Sequence, residues 1–140
     1  MMDDLIQLAH NFRASLELQR NLGLLPRHMA DFPRGCCGVT SELLGDYLNS
    51  YPSGPEAESV SAYRDGKSHI WLLISSLVVD LTGDQFPDRP AVYVGPVDNW
   101  YQSWEVDLRG KAQHCHTPTS HEEHAVLARF LDEFGLPSFD

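Results

Sequence analysis

One stretch of the chain restricts the fold more than any other: HIWLLISSLVVDLT, residues 69–82, whose apolar run is broken at Ser75 and Ser76. Two short apolar segments on either side of a turn are typical of neighbouring strands. If the turn is centred between the two serines, Leu72 lies opposite Val79, and each side chain has a predicted face. The stretch therefore predicts an antiparallel β-hairpin.

Helical periodicity precedes this hairpin twice. Apolar residues recur at the spacing of one helix face over residues 3–21 and predict a first helix, which ends at Gly23 and Pro26. Residues 24–34 have the composition of a loop. A second helix is predicted over residues 37–49. The residues on its apolar face are Val39, Leu43, Leu44, Tyr47 and Leu48.

A third helix is predicted near the C-terminus. Thr119 or Ser120 can cap it, and a cap at Ser120 puts Glu123 at the reciprocal capping position. Gly135 is expected to end the helix. Its predicted apolar residues are Ala125, Leu127, Ala128, Leu131 and Phe134.

Further strands are predicted around the hairpin. Residues 57–64 form one, followed by a turn at residues 65–66, and residues 91–95 form another. Residues 96–118 have no clear period, and we expect one irregular strand near residues 104–108. The order of two helices, several antiparallel strands and a helix predicts an α+β fold, with N-terminal helices packed on an antiparallel sheet. The 140 residues suit a single domain.

Charge and composition exclude several classes of partner. The formal net charge is −10 and no basic run occurs, so nucleic acid and anionic membranes are disfavoured. The acidic N-terminus is not a signal peptide, and no segment is long and apolar enough to span a bilayer. With three cysteines, a reducing cytoplasm is the expected location, and export without a signal stays open. No cofactor is predicted.

Two of the three cysteines stand side by side at the predicted start of the second helix, in FPRGCCGVTSELL. The first turn of a helix carries unpaired N–H groups and partial positive charge. A thiol there ionises more easily, and the same N–H groups can bind an oxyanion. Cys36 or Cys37 is therefore a candidate nucleophile, and the alternative is that both are buried small apolar residues.

The hairpin supplies a base for this thiol. With the register stated above, His69 and Asp80 are diagonal neighbours on one face, whereas a slip of one residue would separate them. A carboxylate beside an imidazole orients it and stabilises its charged form. Asp84 is an alternative partner, but its predicted position is less favourable. The residues predict a Cys-His-Asp triad.

These motifs resemble the transglutaminase-like branch of the papain-related cysteine enzymes, across roughly residues 32–86. That branch has Gly-x-Cys before a helix, His-Ala-Trp opening a strand, and Asp-Pro-Thr on the next strand. The corresponding segments here are Gly35-Cys36-Cys37, His69-Ile70-Trp71 and Asp80-Leu81-Thr82. The resemblance implies that Cys37, rather than Cys36, is the nucleophile.

The same resemblance implies an α+β transglutaminase-like (papain-like) core and acyl transfer through a thioester, as in peptidases, deamidases, transglutaminases and acyltransferases. A peptide or protein, or a small amide or ester, would be the substrate. Papain has a Gln shortly before its Cys, but ADFPRGC has none, so backbone N–H groups or Gln85 would bind the oxyanion. The alternatives are a catalytically inactive protein-binding module of this fold and a small immunity-type partner protein.

Two further groups of residues, the aromatic side chains and a histidine-rich segment, are candidate sites. Aromatic side chains can line a substrate groove, and Trp71 is the strongest candidate because it shares the predicted face of His69. The others are Trp100, Tyr101 and Trp104. The segment HCHTPTSHEEH contains five possible zinc ligands, but their spacing matches no strong metal pattern, so no metal site is predicted. Those ligands are His114, Cys115, His116, His121 and His124.

Overall fold

A computed structural model describes residues 2–51, 54–114 and 120–135 of the chain. The α-helices in these ranges are α1 (Met2–Asn21), α2 (Cys37–Ser50), α3 (Asn99–Gln102) and α4 (His121–Phe134). The strands are β1 (Ala57–Arg64), β2 (Lys67–Ile74), β3 (Leu77–Asp80), β4 (Tyr93–Gly95) and β5 (Glu105–Lys111). Short 3-10 helices span Arg27–Met29 and Gly83–Gln85. The architecture is α+β.

The five strands form one antiparallel sheet in the order β4-β3-β2-β1-β5. Leu72 lies opposite Val79, and Ile74 lies opposite Leu77, so the predicted hairpin register is confirmed. Ser75 and Ser76 form the two-residue turn with φ of 50° and 68°. Positive φ at both positions is the geometry that suits the twist of a tight hairpin.

Two apolar clusters lie on opposite faces of this sheet. On one face, α1, α2 and α4 bury aliphatic side chains against the strands. On the other face, the segment containing α3 packs over an aromatic cluster. Side chains alternate along β2, so Leu72 and Ile74 belong to the first cluster, whereas Trp71 belongs to the second.

The helix α2 packs unusually close to the sheet because residue 45 is glycine. A Cβ atom at Gly45 would lie 2.4 Å from Cβ of Ala112 and 2.9 Å from Cδ2 of Leu72. At the start of the helix, Oγ of Ser41 donates a hydrogen bond to the carbonyl of Ile70 at 3.4 Å. These contacts hold the beginning of α2 beside the beginning of β2.

The segment before β5 differs from the sequence prediction. Residues 96–118 were expected to hold only an irregular strand near residues 104–108, but they contain α3 as well, and β5 extends to Lys111. Asp98 caps α3 by accepting a hydrogen bond from the backbone N–H of Tyr101. One helical turn is too short to produce a periodic apolar pattern.

The helix α4 forms where predicted, but its cap and its buried face differ. The side chain of Ser120 makes no capping hydrogen bond, and Thr119 lies outside the described residues. The buried residues are Val126 and Phe130, while Ala128 is exposed. Gly135 ends the helix with φ of 77°, as predicted. No helix in the described ranges is long and apolar enough to cross a membrane.

Candidate active site

The two adjacent cysteines have different environments. Cys36 is fully buried in the helix-side cluster, and burial raises the pKa of its thiol to about 11. Cys37 is the first residue of α2 and is half-buried, with a free thiol. A partly exposed thiol at a helix N-terminus is the more reactive kind, because the thiolate is favoured there and reagents can reach it.

The hairpin brings His69 and Asp80 into direct contact. Nε2 of His69 donates a hydrogen bond to Oδ2 of Asp80 at 2.8 Å, and both side chains are almost completely buried. This contact crosses from β2 to β3 on the face that the predicted register assigned to both residues. The diagonal placement inferred from the hairpin pattern is therefore confirmed.

Cys37 completes the cluster. Burial lowers the pKa of His69, but hydrogen bonding and charge from Asp80 and from Cys37 outweigh burial and raise it to about 9. Nδ1 of His69 makes no hydrogen bond of ordinary geometry within the described part of the chain. Since Asp80 occupies Nε2, Nδ1 is the nitrogen left for the thiol of Cys37.

Asp80 has two further partners, one of which the sequence did not predict. The backbone N–H of Thr82 donates to Oδ1 at 3.1 Å. The hydroxyl of Tyr101 donates to Oδ2 at 2.8 Å, so this oxygen also serves His69. Tyr101 comes from α3, and only the tertiary fold places it beside the hairpin.

Asp84, the alternative partner of His69, is bound elsewhere. Its two oxygens accept hydrogen bonds from the guanidinium of Arg13 at 2.9 and 2.8 Å. Arg13 also donates to the carbonyl of Leu81 at 2.8 Å. Burial lowers the pKa of Arg13, but Asp84 and Glu17 outweigh it and raise the pKa above its usual value. The ion pair fastens α1 to the loop that follows β3.

Gln85 lies beside the cysteines. Its Oε1 accepts a hydrogen bond from the backbone N–H of Gly35 at 3.2 Å, and its Nε2 donates to the carbonyl of Thr82 at 3.0 Å. The side chain thus bridges the loop before Cys37 and the turn after β3. Because these bonds use both ends of the amide, backbone N–H groups of α2 are the simpler candidates for binding an oxyanion.

Aromatic rings surround His69. Its ring centroid lies 5.7 Å from that of Trp71, 4.9 Å from Phe86 and 5.9 Å from Trp104. Trp71 shares the face of His69, is buried, and lines neither of the two recesses beside this cluster; its groove role stays a prediction. Trp100 and Trp104 do line a recess.

The histidine-rich segment forms a separate cluster. Glu123 accepts hydrogen bonds from His28 and from His114, the latter at 2.6 Å, and Nδ1 of His114 lies 3.3 Å from Nε2 of His124. No three such side chains are arranged to hold a metal ion in residues 2–51, 54–114 and 120–135. His121 is exposed at the start of α4; Cys115 and His116 lie outside those ranges.

Comparison of the chain with models of known protein families, with curated proteins and with solved structures finds no match.

Proposed function

We propose that the chain is a cysteine-dependent acyl-transfer enzyme with a transglutaminase-like core. Cys37 is its nucleophile, His69 is its base, and Asp80 orients the imidazole. The observation that carries this proposal is the convergence of a half-buried thiol at a helix start with a hydrogen-bonded His-Asp pair. The residues that resemble the family motifs are the ones that meet.

The chemistry follows from the protonation of His69. With a pKa raised to about 9, the imidazole is protonated at neutral pH and can pair with a thiolate. The thiolate attacks a substrate carbonyl, a C–S bond forms, and the C–N or C–O bond of the substrate breaks as His69 gives its proton to the leaving group. A thioester on Cys37 remains. Water or an amine then attacks the thioester carbonyl and loses a proton to His69. The C–S bond breaks, which restores the Cys37 thiolate and the protonated imidazole.

The proposed substrate is a peptide or protein, or a small amide or ester. Resolution by water would make the protein a peptidase or deamidase, and resolution by an amine would make it a transglutaminase or acyltransferase. The proposed location is the cytoplasm, because free thiols are typical of a reducing compartment.

Covalent labelling tests this proposal. Incubation with p-nitrophenyl butyrate should add one butyryl group to the native protein and to Cys36→Ser, but none to Cys37→Ser, as measured by intact mass. Labelling of Cys37→Ser, or no labelling of a native protein that is shown to be folded, would contradict a nucleophilic Cys37.

One observation favours a second candidate function. His69 is fully buried and has no surface open to a reacting group. A protein-binding module that has lost turnover would keep such a pair for packing. Alkylation separates the two candidates: an enzyme should react with iodoacetamide well below pH 8 and lose that reactivity in His69→Gln, whereas an inactive module should be inert while folded.

A further inference from the structure

Two recesses open on the surface next to the candidate active site. The larger, of about 700 Å³, is lined by Asp31, Pro33, Arg34, Lys67, Ser68, Asp84, Gln85 and Phe86. The smaller, of about 280 Å³, is lined by Arg64, Asp65, Lys67, Phe86, Pro87, Trp100 and Trp104. Both share Lys67 and Phe86, so they form one groove with these two residues at its middle.

Phe86 connects this middle point to the candidate site. The ring of Phe86 packs edge-on against His69 with centroids 4.9 Å apart. Lys67 and His69 stand two residues apart on β2, so their side chains leave the same face of the sheet. A substrate lying in this groove would therefore meet Lys67 on the face of the sheet that carries His69.

Some of the charged side chains that line the groove are paired with an opposite charge, and others are not. Asp84 is paired with Arg13, which also binds Glu17, and Asp65 lies near Arg64. Arg34 and Lys67 are exposed and make no ion pair with any residue that the structure describes. The groove thus has two unpaired cations, Arg34 and Lys67, and one anion outside these pairs, Asp31, in a chain whose formal net charge is −10.

We infer that the groove selects acyl substrates that carry a carboxylate close to the reacting carbonyl, and that Lys67 is the residue that recognises it. The inference rests on the proposed acyl-transfer function. A partly exposed ion pair of this kind changes affinity about two- to fivefold, which is enough to discriminate between otherwise similar substrates. In an acidic chain such a residue is needed for affinity, because the other charges of the chain repel an anionic substrate.

A pair of esters tests the inference. The probes are p-nitrophenyl succinate, which carries a carboxylate, and p-nitrophenyl butyrate, which does not. In each case the Cys37 thiolate attacks the ester carbonyl, a C–S bond forms, the C–O bond breaks and p-nitrophenolate leaves. The measured quantity is the ratio of the two acylation rate constants, divided by the same ratio for free N-acetylcysteinamide.

The native protein should give a corrected ratio above one, and Lys67→Gln should lower it about two- to fivefold. Lys111→Gln is the matched control, because Lys111 is the other lysine of the chain and lies on β5, outside this groove. It should leave the ratio unchanged. A ratio that Lys67→Gln does not lower would overturn the inference.

A second pair of reagents keeps this test independent of acyl transfer. Iodoacetate and iodoacetamide alkylate Cys37 without a carbonyl attack, and only iodoacetate is anionic. Lys67→Gln should slow iodoacetate more than iodoacetamide, and Lys111→Gln should not. If neither ester acylates Cys37, the proposed function fails, and the comparison of the two alkylation rates alone decides whether Lys67 recognises an anion. Equal slowing of iodoacetate and iodoacetamide in Lys67→Gln would overturn that role of Lys67.

Discussion

The hydroxyl of Tyr101 and the imidazole of His69 donate hydrogen bonds to the same oxygen, Oδ2 of Asp80, each at 2.8 Å. Burial and the nearby charge of Asp80 raise the pKa of Tyr101 far above its usual value, so its hydroxyl stays a donor. With the backbone N–H of Thr82 on Oδ1, a buried carboxylate has three donors. Such partners are what allow a charge to remain in a dry site.

Tyr101→Phe should therefore lower the free energy of unfolding by about 1 to 3 kcal/mol, because it removes a buried hydrogen bond to a charged group. Urea denaturation measures this loss. Tyr47→Phe is the control: the buried hydroxyl of Tyr47 has no hydrogen-bond partner in the described part of the protein, so its removal should cost little. Equal losses in the two variants would mean that the Asp80 contact adds nothing to stability.

Cys37→Ala should lower the pKa of His69 from about 9 towards 6.5, because Cys37 is one of the groups that raise it. NMR titration of the imidazole measures this directly. Cys36→Ala should leave that pKa in place, since Cys36 is not among the groups acting on His69. An unchanged titration in Cys37→Ala would show that the two side chains do not interact.

The raised pKa of His69 also makes stability depend on pH. The folded state favours the protonated imidazole, so this contribution is complete below about pH 6.5 and is lost as pH rises through about 9. Between pH 6 and pH 10, the free energy of unfolding should fall by less in Cys37→Ala than in the native protein. A larger fall of the free energy of unfolding in Cys37→Ala would mean that Cys37 does not stabilise the protonated form of His69.

Glu123 should make stability depend on pH in the opposite direction. Burial raises the pKa of Glu123, but hydrogen bonds from His28 and His114 outweigh it and hold the pKa below 4.5. Its stabilisation is present above pH 4.5 and is lost as pH falls through the folded value. Glu123→Gln should destabilise the protein by about 1 kcal/mol at pH 7 and by less at pH 4. The control is Glu122→Gln, an exposed neighbour, which should show neither effect.

Gly45→Ala should destabilise the protein by about 1 to 3 kcal/mol, although alanine favours helices, because the added Cβ would overlap Ala112 and Leu72. Thermal unfolding gives the comparison. In Gly110→Ala the added Cβ meets nothing within 4 Å, and that variant should be neutral. Full stability of Gly45→Ala would mean that α2 lies further from the sheet than described.

Much of the site could be predicted because its main parts are local. The hairpin around Ser75 and Ser76 sets which side chains share a face, so the contact of His69 with Asp80 follows from register alone. Cys37 was assigned to the first turn of α2 by helix periodicity and by the family resemblance, and it lies there.

Other parts could not be predicted, because they depend on which surfaces meet. Ser120 is the N-cap residue, but its side chain makes no capping hydrogen bond, and Glu123 bonds to His28 and His114 instead. The apolar face of α4 was predicted only in part: Leu127 and Leu131 pack against the helix-side cluster, but the most buried residues are Val126 and Phe130. A short helix such as α3 leaves no periodic signal at all.

The sequence by itself determined the order of the longer helices and the strands, the hairpin register and the placing of a thiol, an imidazole and a carboxylate at element ends and faces. These depend on periodicity and turn geometry within a few residues. Only the tertiary structure decided that Tyr101 supports Asp80, that Gln85 holds the loop before Cys37, and that Lys67 stands in a groove. Those contacts join residues distant in the chain, and they form only when separate elements pack together.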